Sequence, residues 1–244
     1  MRHFCGAFLL VFSCVTALAE APIDDNIRFE LWGKWALAAL DSPPYFLTRE
    51  ELIDLPVSPP PANSSVETRA DLDELLQLQR ERTRAQVRTI RKHVHYGSVC
   101  AAVCAAIHHN LTHKPTTRAL LDHVQMDASL AVFHVKQRFN RARPHQLDPR
   151  IHPAIEVPAH PAYPSGHALQ GYMIARTLSL LFPNSAEDLM KAGIQIGRER
   201  EIAGLHYPSD SKASRALGEA IFNRLQQNEK FQSEVAAATG EWRD

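Results

Sequence analysis

The chain has 244 residues, with 27 basic and 27 acidic side chains, and 45% of it is hydrophobic. That length allows one domain with a substantial core. The balanced charge gives no global field with which to collect nucleic acid or an anionic membrane, so any anion site must be a local cluster.

The N-terminus reads as a secretory signal. Met1-Arg2-His3 is a basic start, Phe4 to Leu18 is almost wholly apolar or small, and Ala17-Leu18-Ala19 suits cleavage. A signal over 1–19, a single domain over 20–244 and a periplasmic or secreted location are expected. Those first residues hold Arg2 and no acid, so the balance without them is 26 basic to 27 acidic. They also hold Cys5 and Cys14, which leaves Cys100 and Cys104. At i, i+4 on a helix these two share a face but are awkward to bridge, so they are expected as small buried residues. No later segment approaches the roughly 20 uninterrupted apolar residues of a spanning helix. Ala168 to Phe182 comes nearest, and Gln170 and Arg176 interrupt it. No integral membrane span is expected, and the mature protein is expected to be soluble.

Helical periodicity dominates the rest of the chain. A helix is expected over Asn26 to Leu40. Leu55 to Ser65 is a proline-rich connector that cannot be helical throughout. Leu72, Leu75, Leu76, Gln79, Thr83, Val87 and Ile90 form one i, i+3, i+4 stripe that Asp71 can cap. Further helices are expected over Gly97 to Leu111, Thr116 to Asn140, Ser165 to Phe182, Ala186 to Ala203 and Ser209 to Leu225. Pro183 ends the helix that begins at Ser165. Arg143 to Pro164, with six prolines, is a long loop. Loops of that length inside a compact domain are commonly functional. The fold class is all-α, a single helical bundle.

Three pieces carry chemistry. In Lys136-Gln-Arg-Phe-Asn-Arg-Ala-Arg143-Pro144 the first and last cations are seven apart. On a helix they would share a face and suit one tetra-oxygen anion, with Arg138 and Arg141 pointing elsewhere into solvent. In Tyr163-Pro164-Ser165-Gly166-His167, Ser165 is placed to cap the helix after it. Gly166 lets a ligand approach the free amides of that helix start, and His167 stands beside them. Arg200-Glu-Ile-Ala-Gly-Leu-His206-Tyr-Pro-Ser-Asp210 adds a fork-shaped cation, a histidine and a carboxylate four residues on. That carboxylate can fix the imidazole tautomer and leave its other nitrogen nucleophilic.

The order Lys-x6-Arg-Pro, Pro-Ser-Gly-His, Arg-x5-His-x3-Asp closely resembles the phosphatidic-acid-phosphatase type 2 (PAP2) superfamily. Its members include bacterial class A acid phosphatases, lipid phosphatases and vanadium-dependent haloperoxidases. The proline-rich connector and the helix after it look like the soluble secreted acid phosphatases. By position, the resemblance implies that Lys136, Arg143 and Arg200 hold phosphate oxygens, with Ser165 and the Gly166 amide completing the cradle. His206 would attack phosphorus, Asp210 would orient it, and His167 would protonate the leaving group and then activate water. The implied activity is a metal-independent acid phosphatase acting on small phosphate monoesters, with no cofactor. Vanadate would enter only as an inhibitor, or as cofactor were the chain a haloperoxidase. A lipid phosphatase, a pyrophosphatase or a non-catalytic phosphate-binding bundle is also compatible with these motifs. The sequence leaves open whether the protein is a homo-oligomer.

One residue departs from the pattern. The third motif often opens Ser-Arg, but Glu199 precedes Arg200 here, and it is expected to turn away and pair with an arginine such as Arg198. His93, His95, His108, His109 and His113 lack a matching set of ligands at metal spacing and are expected to be solvated or structural. Asn63-Ser-Ser and Asn110-Leu-Thr match the glycan acceptor pattern, which is common by chance.

Overall fold

A computed structural model of the protein describes residues 23–243. The expected signal over 1–19 lies outside the described residues. The protein is all-α: α1 (Lys34–Ala38), α2 (Arg49–Ile53), α3 (Val66–Glu81), α4 (Arg84–Lys92), α5 (Tyr96–Ala105), α6 (Pro115–Phe139), α7 (Pro144–Leu147), α8 (Gly166–Leu181), α9 (Ala186–Ile202), α10 (Pro208–Leu225) and α11 (Glu229–Gly240). A single bridge between Arg28 and Arg141 is the one β-type pairing among the described residues. No described helix is long and apolar enough to cross a membrane.

Helix α8 is the axis of the bundle. It packs against α5, α6, α9, α10 and α11. A helix surrounded in this way must be apolar around most of its circumference, and Leu169, Met173, Ile174, Ala175, Leu178 and Leu181 are all buried. At the crossing of α8 and α9 the two backbones touch. A Cβ added at Gly171 would fall on the carbonyl oxygen of Gly193, and one added at Gly193 on that of Gly171. Only glycine permits that approach.

The main core joins α6, α8, α10 and α11 to the segment around Phe46 and Leu52. A second cluster packs α5 against α8 and α9 through Val99, Cys100, Val103 and Cys104. Both cysteines are free and buried. Burial pushes the Cys100 thiol up to about 12 and that of Cys104 to about 11, so neither supplies a thiolate at neutral pH.

Two carboxylates seat the long helix α6. Glu241 accepts from the amides of Thr116 and Thr117, each at 3.0 Å, and so satisfies donors that a helix start leaves free. Buried Asp127 accepts the successive amides of Tyr45, Phe46 and Leu47, pinning that segment to α6.

The structure corrects the expected elements at several points. Asn26 to Leu40 is not one helix: α1 covers Lys34–Ala38, followed by a 3-10 turn over Ala39–Asp41. The stripe through Leu72 and Ile90 is two helices, because Arg82 is extended and Thr83 opens a new capping box with Gln86. Ser65 caps α3, while Asp71 lies within it, buried and hydrogen-bonded to Ser209. The alanine-rich helix α5 ends at Ala105 rather than Leu111. Helices α2, α7 and α11 were not among the expected elements. Asn63 is buried, and its side chain donates to the carbonyls of Asp24 and Ile27, so it does not present a glycan acceptor.

Candidate active site

Lys136 stands in the last turn of α6, and Asn140 ends that helix in the left-handed region at φ 46°. The chain then turns, and Arg143 becomes the N-cap of α7 with Pro144 at the first helical position. The two cations therefore do not share a helix face, contrary to expectation. They meet because the loop after α7 folds back over both. The Lys136 ammonium donates to the carbonyls of Pro161 at 2.7 Å, Ala162 at 3.2 Å and Pro164 at 2.5 Å.

Arg143 is fully buried and fastened on three sides. Its Nε donates to the His160 carbonyl at 3.0 Å, and its Nη1 to the Leu205 carbonyl at 2.8 Å. Nη1 also lies 2.9 Å from His206 Nε2, and Nη2 lies 3.1 Å from His160 Nδ1. Guanidinium has no acceptor, so His206 Nε2 must receive that hydrogen bond with its lone pair. The proton is then on Nδ1, which faces Asp210 Oδ2 at 3.1 Å. These contacts define a neutral imidazole with its lone pair on Nε2.

Asp210 sits in the first turn of α10 and has no exposed surface. Its Oδ2 also accepts the Tyr207 amide at 3.0 Å, and its Oδ1 takes Arg141 Nη1 at 2.6 Å. Arg141 is buried, against the expectation of a solvated side chain. It spans Asp210, the Ser209 hydroxyl at 2.8 Å and Thr68 Oγ1 at 3.3 Å, and lies 3.8 Å over the Tyr207 ring. The sequence reading missed it because the helical spacing of Lys136 and Arg143 was carried past Asn140, where the helix ends. Past Asn140 the chain is extended, and there residues two apart share a side, which sends Arg141 inward with Arg143. His160 was also missed, inside a loop whose path no local pattern specifies.

Ser165 caps α8 through its hydroxyl, as expected, and its backbone ties α8 to α10 through Ser214 at 2.7 Å. His167, the second residue of α8, donates Nε2–H to the Val94 carbonyl at 3.0 Å, because a carbonyl can only accept. Its Nδ1 is thereby the nitrogen free to exchange a proton. Arg200, on the last turn of α9, is almost fully buried and donates to the Ile90 carbonyl at 3.1 Å. Glu199 does not pair with Arg198, which binds Glu74 and Glu201 instead. Glu199 reaches His93 Nδ1 at 2.8 Å and Arg200 Nη2 at 3.4 Å.

Lys136, Gly166, His167, Arg200 and His206 line one cavity of about 240 Å³. Arg143, Ser165 and Asp210 stand behind its wall. Above the cations the wall is largely apolar, with Trp35, Val132, Phe133, Ile155 and Leu205. Seating α1 there is the Gly33 amide, which donates to the Ala159 carbonyl at 2.7 Å.

Burial and crowded positive charge set the protonation of the site. His206 is held well below the ordinary imidazole range, first by burial, then by Arg143 and Lys136. His167 is pushed down to about 4 by burial and by Arg200. His160 is likewise lowered, by burial and then Lys136. Lys136 is lowered by burial and Arg143, and Arg143 falls to about 10 through burial. Every one of these shifts disfavours positive charge, as burial and the crowding of Lys136, Arg143 and Arg200 dictate.

Comparison with known proteins places this arrangement. Residues 124–230 match the model of the PAP2 superfamily. The matched region contains all eight residues of the three motifs. The chain is 29% identical over 153 residues to a non-specific acid phosphatase of Providencia stuartii, covering 60% of this chain and 62% of that protein. It is 39% identical over 83 residues to one of Salmonella typhimurium, covering 34% and 33%. The matches thus span less than two thirds of those relatives' lengths. A bacterial vanadium-dependent iodoperoxidase superposes with a TM-score of 0.55 at 17% identity, covering 74% of this chain and 54% of that one. A bacterial vanadium-dependent chloroperoxidase gives 0.60 at 12%, covering 82% and 55%. At those identities the two structures show the shared fold.

Proposed function

We propose that the protein is an exported acid phosphatase that hydrolyses small phosphate monoesters through a phosphohistidine. The observation that carries this reading is the Arg143–His206–Asp210 line, which leaves a neutral imidazole with its lone pair at Nε2 beside a cavity ringed by cations. The acid phosphatase relatives support the same activity.

In the first step His206 Nε2 attacks phosphorus and the bond to the ester oxygen breaks. His167 gives its proton to the departing alkoxide. The dianionic substrate favours the protonated form of His167, offsetting the shift imposed by burial and Arg200. Asp210 stabilises the charge that develops on His206. In the second step His167, now neutral, takes a proton from water as the oxygen attacks phosphorus. The bond from phosphorus to Nε2 breaks and phosphate leaves. Lys136, Arg143, Arg200 and the amides at the start of α8 are assigned to the phosphate oxygens, since phosphoryl transfer depends mainly on positioning and charge stabilisation. Arg143 must then exchange its bond to Nε2 for one to substrate. Lys136 must likewise give up at least one loop carbonyl. In this reading the cations perform the neutralisation and no metal is required.

The test is hydrolysis of a nitrophenyl phosphate in excess chelator by the wild type and by His206→Ala. Turnover that survives chelation, vanishes in the variant and passes through acid-labile, alkali-stable label on His206 is expected. Label on serine or aspartate, or activity restored only by a divalent metal, would refute the mechanism. Vanadate should inhibit competitively, since five-coordinate vanadium resembles the transition state. Halide oxidation with added vanadate in place of ester hydrolysis would mark a haloperoxidase instead.

A further inference from the structure

The end of α4 and the short turn that follows it are held at three points by residues of α8 and α9. The Ile90 carbonyl takes Arg200 Nη2 at 3.1 Å, the His93 ring meets Glu199 Oε2 at 2.8 Å, and the Val94 carbonyl takes His167 Nε2 at 3.0 Å. Glu199 is buried and its other reach, to Arg200 at 3.4 Å, is longer. The His93 contact is thus its main tether. His93 also closes α4, its amide bonded to the carbonyls of Thr89 and Ile90. A side chain in this position joins the end of α4 to the end of α9 and fixes where the next carbonyl, that of Val94, stands.

We infer that His93 and Glu199 are positioning residues for the leaving-group step, a pair that fastens the α4–α5 turn so that the Val94 carbonyl aims His167 across the cavity. Without the pair, the turn keeps the Ile90 contact and the apolar packing of Ile90 on Ile202 and Leu205. The Val94 carbonyl, in an exposed part of the turn between the Ile90 contact and the anchored start of α5, then loses its fixed place. His167 would sample both tautomers and a wider range of orientations, while Lys136, Arg143 and His206, which Glu199 and His93 do not contact, keep the bonds described above.

The kinetic arm of the test rests on the phosphatase reading and uses two substrates. A nitrophenyl phosphate needs little help with its leaving group, whereas an alkyl phosphate such as glycerol phosphate needs the proton. Glu199→Ala and His93→Ala are each expected to lower kcat on the alkyl ester roughly 10-fold more than on the aryl ester, a fraction of the roughly 10²–10⁴-fold that general-acid assistance supplies. The double variant should be no worse than the poorer single one, and Glu199→Gln, which keeps an acceptor for His93, should recover most of the loss. Equal losses on the two esters, or losses that multiply in the double variant, would overturn the inference. The second arm needs no turnover: nitrogen chemical shifts of His167 should report the Nε2–H tautomer in the wild type and a mixture in Glu199→Ala and His93→Ala. An unchanged tautomer there also overturns it. Should the wild type hydrolyse neither ester, the phosphatase reading fails, and the nitrogen shifts alone decide this inference. Should Glu199→Ala not fold, His93→Ala, at a partly exposed side chain, carries both arms.

Discussion

Arg141 and Asp210 form a 2.6 Å ion pair in which both side chains are buried from solvent. One carboxylate oxygen is thereby fixed on a cation, and the other is left to hold His206. Breaking a buried pair from one side typically costs about 3–5 kcal/mol, because the remaining charge is stranded. Arg141→Ala should therefore lower the melting temperature sharply in a thermal scan. Asp210→Asn should do likewise and also remove the acceptor that fixes Nδ1–H. Its kcat on an aryl ester should fall by a factor on the order of 10³–10⁴, as when a triad carboxylate becomes an amide. A folded Asp210→Asn variant with near-normal kcat would count against the assigned role.

In the proposed mechanism His167 governs the pH profile. In the phosphate-free site its pKa lies at about 4, and a general acid must be protonated. The profile of kcat/KM, which reports the free enzyme, should fall on its alkaline side from an acidic maximum. Bound phosphate places negative charge beside the imidazole and raises its pKa, so the alkaline limb of kcat should lie at higher pH. Parallel profiles of the two parameters test this. Coincident limbs, or a rise into alkaline pH, would contradict it.

Stability should fall with acidity when phosphate is absent. His160, His167 and His206 all bind protons more weakly in the folded protein than their ordinary value near ~6.5 in the unfolded chain. Below that value the unfolded chain carries more protons, so each group withdraws about 1.4 kcal/mol per pH unit until its folded pKa is reached. Burial raises Asp71 and Asp127, which act in the opposite sense, two groups against three. Denaturant midpoints should decrease from pH 6.5 to 5, and saturating phosphate should restore them by binding the folded state alone. A midpoint that does not move over that range would contradict these protonation states.

Trp35 is 57% exposed, stands edge-on to Phe133 and His160, and forms part of the apolar wall above the cations. An aromatic leaving group in that position gains ring contact of about 0.5–1.5 kcal/mol beyond simple area burial. Trp35→Ala should raise KM for a nitrophenyl phosphate roughly 2- to 10-fold more than for glycerol phosphate. Equal changes for the two esters would remove Trp35 from the leaving-group side.

Much of this architecture was legible from local pattern. Helices α6, α8, α9 and α10 came from helical periodicity, and the start of α8 from the capping chemistry of Ser165. The departures came where long-range contacts decide. The end of α6 is set by Asn140 adopting a left-handed conformation, which removes Lys136 and Arg143 from a common face yet still brings them together through a loop. Arg141 and His160 owe their roles to that loop's path, and Glu199 chose His93, 106 residues away in sequence, over its neighbour Arg198. The break between α3 and α4 was readable, since Thr83 and Gln86 form a capping box, but the unbroken apolar stripe concealed it.

The backbone contact of Gly171 with Gly193 has a consequence for evolvability. His167 lies one turn from that contact on α8, and Arg200 two turns from it on α9, so the crossing acts as a fulcrum for two arms that end in the pocket. A single methyl there would not touch phosphate or either histidine. It would wedge the helices apart and widen the mouth at the far ends of both arms. Tolerance at this pair is therefore a gauge of how much misalignment the pocket withstands, a constraint held by two residues with no side chain at all.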